Sequence, residues 1–154
     1  MTHASDYVIM EFPSLPENVG FARSAAAVFA SRLDFTLDEL DDIRMAVSEA
    51  VTNAVVHAYE NGPGIVRITA EVAGGQLVIT VEDRGKGIPD VEWAKQPANT
   101  TAPDEHLGLG FHFIGVCMDG YDVESRVGGG TRIRMVKRPA QAKRQEPAAS
   151  SSSQ

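Results

Sequence analysis

Residues 48–59 read SEAVTNAVVHAY. Glu49, Asn53 and His57 recur every four residues, so a helix here carries all three on one face. Leu40, Ile43, Val47 and Val51 form an apolar stripe on another side of it. A carboxylate and a carboxamide aligned this way can serve a hard cation. Mg2+ takes oxygen ligands, often only one or two from protein and the rest from phosphates and water. The same spacing also fits a polar stripe turned to solvent, where charged helix positions usually lie. His57, near the helix end, also fits a cap or a packing role.

Working outward, TLDE (36–39) is a capping-box signature that opens this helix. NGPG (61–64) closes it after about Tyr59. Upstream, ENVGFARSAAAVFASRL (17–33) is rich in alanine, with Val19, Ala22, Ala26, Phe29 and Leu33 at helical spacing. YVIMEF (7–12) reads as a short strand broken by Pro13 and Pro16. Downstream, IVRITAEV (65–72) and QLVITVED (76–83) alternate and are joined by AGG, a β-hairpin. A long loop is expected over 84–106, then a helix over LGLGFHFIGVCM (107–118) opened by its glycines. DGYDVESRV and TRIRMVK, joined by GGG, predict a second hairpin. The sum is an α+β two-layer sandwich, a mixed, mostly antiparallel sheet covered on one face by helices. The domain is expected over 5–138. The low-complexity stretch AQAKRQEPAASSSSQ offers no large apolar side chain, so a disordered tail is expected over 139–154.

Composition excludes several classes. No apolar run approaches the ~20 residues that cross a bilayer. MTHASDYVIM lacks the basic-then-apolar order of a secretory signal. The single cysteine, Cys117, has no partner for an internal disulfide. A cytoplasmic protein with no membrane association is therefore expected. The net charge is −7, and residues 137–154 contribute +3 through Lys137, Arg138, Lys143 and Arg144 against Glu146, leaving −10 on the rest. Such a body is repelled by a phosphate backbone, so no direct nucleic-acid binding is expected. A basic partner surface suits it better.

Two glycine motifs add to the helix. In VEDRGKGIPD (81–90) a strand ends in Asp83, followed by Gly85 and Gly87. Such glycines let a backbone approach a ligand closely, and Asp83 could accept a hydrogen bond from a base edge. An ordinary glycine turn has the same spacing. In HLGLGFHFIG (106–115), Gly108 and Gly110 fall where a helix is expected to start, and free N–H groups at a helix start suit phosphate. A permissive helix entry would look alike.

Taken in order, a helix with E-x-x-x-N, a strand end D-x-G-x-G, a long loop, then G-x-G and a helix resembles the ATP-binding fold shared by sensor histidine kinases, Hsp90 chaperones, type II topoisomerases and mismatch-repair ATPases. Within that superfamily, SEAVTNAVVHAY, DRGKGIPD, GLGF, a strand containing VES and then GGT resemble the bacterial anti-sigma-factor serine kinases. ENVGFARSAAAVFASRLDFTLDELDDI is most similar to the sporulation, anti-sigma F branch.

The resemblance implies an ATP/ADP- and Mg2+-binding homodimer. It would sequester a sigma factor and phosphorylate a serine of an anti-anti-sigma protein. It assigns Glu49 as general base, Asn53 as magnesium ligand and Asp83 as partner of the adenine amino group. Gly85 and Gly87 would lie beside the nucleotide, and Thr101, His106, Gly108 and Gly110 would belong to the lid over it. Arg23 would contact the sigma factor and the anti-anti-sigma partner. The chain departs from the family in its lid. Ala102 follows Thr100–Thr101 where a lysine is usual, DEHL (104–107) is one residue short, and His106 is the nearest replacement for an arginine. An arginine there would neutralise developing phosphoryl charge, and a histidine is a weaker substitute. Two other functions follow from the same features: a nucleotide-dependent sigma-binding module with little kinase turnover, or an anti-sigma kinase of the stress-response branch.

Overall fold

The computed structural model describes residues 6–96 and 102–141, with backbone alone for 102–107. Strands β2 (Ile65–Ala73) and β3 (Gln76–Asp83) pair antiparallel from Val66↔Asp83 to Ala73↔Gln76. The two residues between them, Gly74 and Gly75, have φ of 62° and 74°. Positive φ at both positions is what a tight two-residue hairpin requires. With β1 (Asp6–Pro13), β4 (Gly120–Arg126) and β5 (Gly130–Lys137), the sheet has the order β1-β2-β3-β5-β4. All four pairings are antiparallel.

Alternation along the strands divides the two faces. Val66, Ile68, Ala70, Leu77, Ile79, Val81, Ile133 and Met135 turn to one side and are buried. There they meet α1 (Glu17–Ala30), α2 (Leu37–Asn53) and α4 (Ala102–Cys117). Ala22, Ala26 and Ala30 of α1 and Ala46 and Ala50 of α2 are fully or almost fully buried. Side chains this small let the helices approach each other closely. On the opposite, uncovered face the register sets Glu11, Arg67, Glu82, Arg132 and Glu124 in one row across all five strands. Neighbours in that row always differ in sign, and Arg132 closes to 3.7 Å from Glu124. Opposed cross-strand charges stabilise a sheet by about 0.2–1 kcal/mol per pair, so this face is held by polar contacts with no covering layer.

The expected capping box is present. The Thr36 N–H donates to Glu39 Oε1 (2.8 Å) and the Glu39 N–H donates to Thr36 Oγ1 (3.1 Å). The other Glu39 oxygen accepts the N–H of Ala140 (2.8 Å), which ties the end of the described chain to the start of α2. Near the same turn of α2, Lys137 is buried. Its Nζ donates to the Cys117 carbonyl (2.6 Å) and lies 4.0 Å from Asp42 Oδ2.

Three expectations change. The first helix stops at Ala30, short of Leu33. The loop expected over 84–106 contains α3 (Val91–Ala94), capped by Asp90, and the first turns of α4. The helix expected from 107 already begins at Ala102. Pro103 explains the early start, because its fixed φ and missing N–H cost nothing in a first turn. Asp104 and Glu105 favour the same place, where the helix dipole is positive. Among the described residues no helix is long and apolar enough to cross a membrane.

Candidate functional site

The C-terminal half of α2, the end of β3, the loop after it and the start of β5 converge at one end of the helical face. Asp83 ends β3 opposite Val66 on one side and Thr131 on the other. Its Oδ1 accepts the N–H of Gly85 (2.9 Å) and of Thr131 (3.2 Å), both on the one oxygen. Oδ2 takes neither of these bonds, and Asp83 lines the adjoining cavity. Burial pushes the Asp83 carboxyl above its ordinary range, and the two N–H donors offset this only in part.

Glu49 and Asn53 stand one turn apart on α2. Asn53 is only 7% exposed, and both its Nδ2 and its Oδ1 lack a hydrogen-bond partner among the described residues. A buried polar group left unpaired costs about 1–3 kcal/mol, so a carboxamide in this state calls for a ligand. A Cβ built on Gly110 would stand 3.0 Å from Glu49 Oε2 and 3.4 Å from Asn53 Oδ1. The two side chains therefore converge on one point of α4, where a Cβ would oblige Glu49 to give way by a few tenths of an ångström. Asn53 Oδ1 is a hard oxygen that suits Mg2+. Among the described residues no group of three or more His, Cys, Asp or Glu could hold a metal ion. A cation at Asn53 would thus rely on phosphate and water oxygens for the rest of its shell.

After Asn53 the helix widens into a π-helical turn, Ala54–Ala58, which carries His57. His57 lines the same cavity as Asn53, Asp83, Gly87 and Thr131. That cavity measures about 20 Å³, room for about one water. A purine is far larger than this space, so its entry requires the lining to open, for example by movement of the loop that carries Gly87 and Ile88. The larger cleft, about 580 Å³, opens on the uncovered face between Arg67, Glu82, Arg132 and Glu124, and its lining includes none of Glu49, Asn53 or Gly87.

Backbone packing by itself requires the glycines of the D-x-G-x-G motif, of which Gly87 also lines the small cavity. A Cβ on Gly85 would fall 2.1 Å from the Ala58 carbonyl oxygen. One on Gly87, whose φ is +79°, would fall 2.2 Å from the Arg126 carbonyl oxygen. Both positions are forced by backbone meeting backbone. The residue between them, Lys86, is clamped from two sides: its N–H donates to Ala58 O (2.8 Å) and its carbonyl accepts the Gly128 N–H (2.8 Å). Tyr59 adds a third tie, donating its hydroxyl to Ile65 O (2.6 Å) and accepting the Arg84 N–H (2.8 Å).

Gly108 and Gly110 do not open a helix, as the sequence suggested. They sit six and eight positions after the first residue of α4, where N–H groups bond within the helix. A phosphate site at a helix start is thus not formed at these glycines in this conformation. Thr101 lies outside the described residues, as does the side chain of His106. Arg23 is exposed on α1, a helix that contributes no residue to the cavity lined by Asn53 and Asp83. Sequence reasoning missed Thr131 and Ser125. Both stand in the GGT and VES motifs, but only strand register places them beside Asp83.

A family model described as "Histidine kinase-like ATPase domain" matches residues 12–137. The anti-sigma F factor of Clostridium kluyveri is 48% identical over 129 residues, which is 83% of this chain and 91% of that protein. The anti-sigma F factor of Clostridium acetobutylicum is 48% identical over 130 residues, 84% of this chain and 91% of that one. Among solved structures, the RsbU and RsbW domains of a Mycobacterium tuberculosis protein superpose with a TM-score of 0.64 at 19% identity, covering 86% of this chain and 32% of that one. A blue-light activated histidine kinase of Erythrobacter litoralis gives 0.56 at 26% identity, covering 84% and 43%. The Glu49–Asn53 pair on α2, the clamped glycine loop and α4 thus sit on a fold these proteins share, and the chain belongs to the anti-sigma F factor family of histidine kinase-like ATPase domains.

Proposed function

We propose that the protein is a cytoplasmic, ATP-dependent anti-sigma factor that holds a sporulation sigma factor away from RNA polymerase and phosphorylates a serine of an anti-anti-sigma partner. The observation that carries this reading is the convergence of Glu49 Oε2 and Asn53 Oδ1 on one point, with Asn53 buried and unpaired. A metal-bound phosphate at Asn53 would lie within reach of a base at Glu49. Bound ATP would supply the phosphoryl group. Glu49 would take the proton of the incoming serine hydroxyl, because a neutral hydroxyl needs a positioned acceptor as it attacks. Asp83 Oδ2 would accept from the adenine amino group. The names of the relatives favour the sporulation branch over the stress-response branch.

Arg23 is exposed on α1 and offers a cationic anchor, while Phe21 (61%) and Val28 (72%), seven residues apart, form an exposed apolar ridge on another side of the same helix, residue types suited to a protein contact. A homodimer placing two such ridges near one sigma factor agrees with it. The test is single-turnover phosphorylation of the anti-anti-sigma protein by Glu49→Gln. The rate should fall by ~10²–10⁴ with ATP affinity nearly intact, and equal rates would end the assignment. A second reading, sequestration with little turnover, draws on one observation: α4 runs helical from Ala102 and lies directly across Glu49. In that case wild type and variant would both transfer phosphate at the same negligible rate while still capturing sigma factor.

A further inference from the structure

Three successive backbone N–H groups follow Asp83, and each has a different acceptor. The Arg84 N–H donates to the Tyr59 hydroxyl (2.8 Å), the Gly85 N–H to Asp83 Oδ1 (2.9 Å) and the Lys86 N–H to Ala58 O (2.8 Å). Two of these acceptors lie just beyond Asn53. Ala58 ends the π-helical turn, and Tyr59 is the first extended residue after it, at φ −119° and ψ 124°. One short stretch therefore connects the candidate metal ligand to both flanks of the Gly85 N–H that holds the Asp83 carboxyl.

The Tyr59 side chain is fixed at its tip and along its ring. A hydroxyl has one proton and two lone pairs. The proton goes to Ile65 O (2.6 Å), so Arg84 meets a lone pair. Along the ring, a Cβ built on Gly64 would fall 2.2 Å from Tyr59 Cε1. Gly64 itself is anchored, since its N–H donates to Ser14 Oγ (3.0 Å) and its carbonyl accepts the Ser14 N–H (2.8 Å). Gly64 is not among the glycines at positive φ. Its missing side chain makes room for the tyrosine ring and is not required by a turn.

We infer that Tyr59 is a positioning residue for nucleotide binding. It fixes the Asp83–Arg84 peptide while Ala58 fixes the Gly85–Lys86 peptide. The Gly85 N–H between them is thereby kept on Asp83 Oδ1, and the carboxyl presents Oδ2 to the base. Without the hydroxyl the Asp83–Arg84 peptide is free to turn, the Gly85 N–H leaves Oδ1, and the carboxyl keeps only the Thr131 N–H (3.2 Å). The inference rests on the reading of Asp83 as the adenine contact, and it adds what aims that carboxyl.

The test is a double-mutant cycle of Tyr59→Phe and Asp83→Asn in the full chain, read as calorimetric affinity for Mg-ATP. Tyr59→Phe removes the hydroxyl and keeps the ring. It should weaken ATP binding by about tenfold, the worth of about one hydrogen bond. On the Asp83→Asn background the same change should cost almost nothing further, because residues that act through one contact are not additive. A tyrosine that only stabilised the fold would lower ATP affinity equally on both backgrounds, or not at all. Gly64→Ala displaces the ring and leaves the hydroxyl in the chain. It should repeat the selective loss, and it serves if Tyr59→Phe fails to fold. Equal losses on both backgrounds, or unchanged ATP affinity in the folded single variants, would overturn the inference. Asp83→Asn alone tests the underlying reading. If it leaves ATP affinity untouched, the base contact itself is wrong. If it weakens ATP while Tyr59→Phe does not, only the role of Tyr59 fails.

Discussion

Gly87→Ala separates two meanings of a glycine motif. If Gly87 serves close approach to a ligand, alanine should weaken nucleotide binding and leave the fold intact. The structure gives it another role. Its φ of +79° lies in the left-handed region, which costs an alanine about 1–2 kcal/mol. The new Cβ would also stand 2.2 Å from Arg126 O, more than an ångström inside ordinary contact, so the β4–β5 turn must retreat. That retreat pulls the Gly128 N–H from the Lys86 carbonyl (2.8 Å), a further loss of about 1 kcal/mol. The total is about 3 kcal/mol, or roughly 6–12 °C in melting temperature for a domain of this size. Gly74→Ala is the control. Its φ is +62° but nothing lies within 4 Å of its added Cβ, so only the conformational cost of about 1–2 kcal/mol applies. Thermal melts of the nucleotide-free proteins measure both. If Gly87→Ala melts no lower than Gly74→Ala, the backbone clamp is not what requires the glycine.

Asp83 should impose a pH dependence on both stability and binding. Burial raises its folded pKa above the ordinary 3.8, so the folded state binds the proton more tightly. The contribution of this group to stability is then fullest below 3.8 and is lost as pH rises through the raised value. Its acceptor form grows in over the same window, so ATP affinity should fall on acidification from a pH above 3.8. Asp83→Asn should remove that dependence in calorimetry. Thr36→Ala, which breaks the capping box and leaves Glu39 with one fewer partner, should cost about 1 kcal/mol in urea unfolding. An unchanged midpoint would deny the cap its role. Because the cavity holds about 20 Å³ and is lined by Gly87 and Ile88, nucleotide entry should move the loop after β3, and the single tryptophan, Trp93 on α3 just after it, should report it. Its emission should change saturably with ATP, and constant emission during calorimetrically observed binding would contradict the movement.

The fold was largely legible because its signals are local. Alternation in 65–72 and 76–83, AGG between them and TLDE before the apolar stripe each act within a few residues, and each appears where expected. The site was legible as a set of residue types, but not in its arrangement. Asn53, Asp83 and Gly110 do converge, yet the reason for Gly85 and Gly87 depends on Ala58 and Arg126, distant in sequence and supplied by helix–loop and strand–loop packing. The start of α4 was misplaced because Gly108 and Gly110 were weighed above Pro103, Asp104 and Glu105, whose helix-start chemistry is the stronger signal. The bonds of Ser125 to Ile88 and Thr131 were invisible in the sequence, since they exist only once β4 and β5 are in register.

The cluster of Lys137, Cys117 and Asp42 bears on how motion in this protein can be observed. Cys117 is the single cysteine and is 6% exposed. Its thiol is pushed above the ordinary range by burial, with Asp42 adding to the rise and Lys137 only partly opposing it. Thiolate is the reactive form, so at neutral pH this sulfur should ignore maleimides and similar reagents. The natural sequence is in effect already cysteine-free toward labelling. A single cysteine placed at exposed Val116 on α4, or at exposed Val28 on α1, would take a dye alone, without first removing Cys117 and disturbing the carbonyl that receives Lys137. The surroundings of α4 or of α1 could then be followed optically, one helix at a time, in an otherwise unaltered chain.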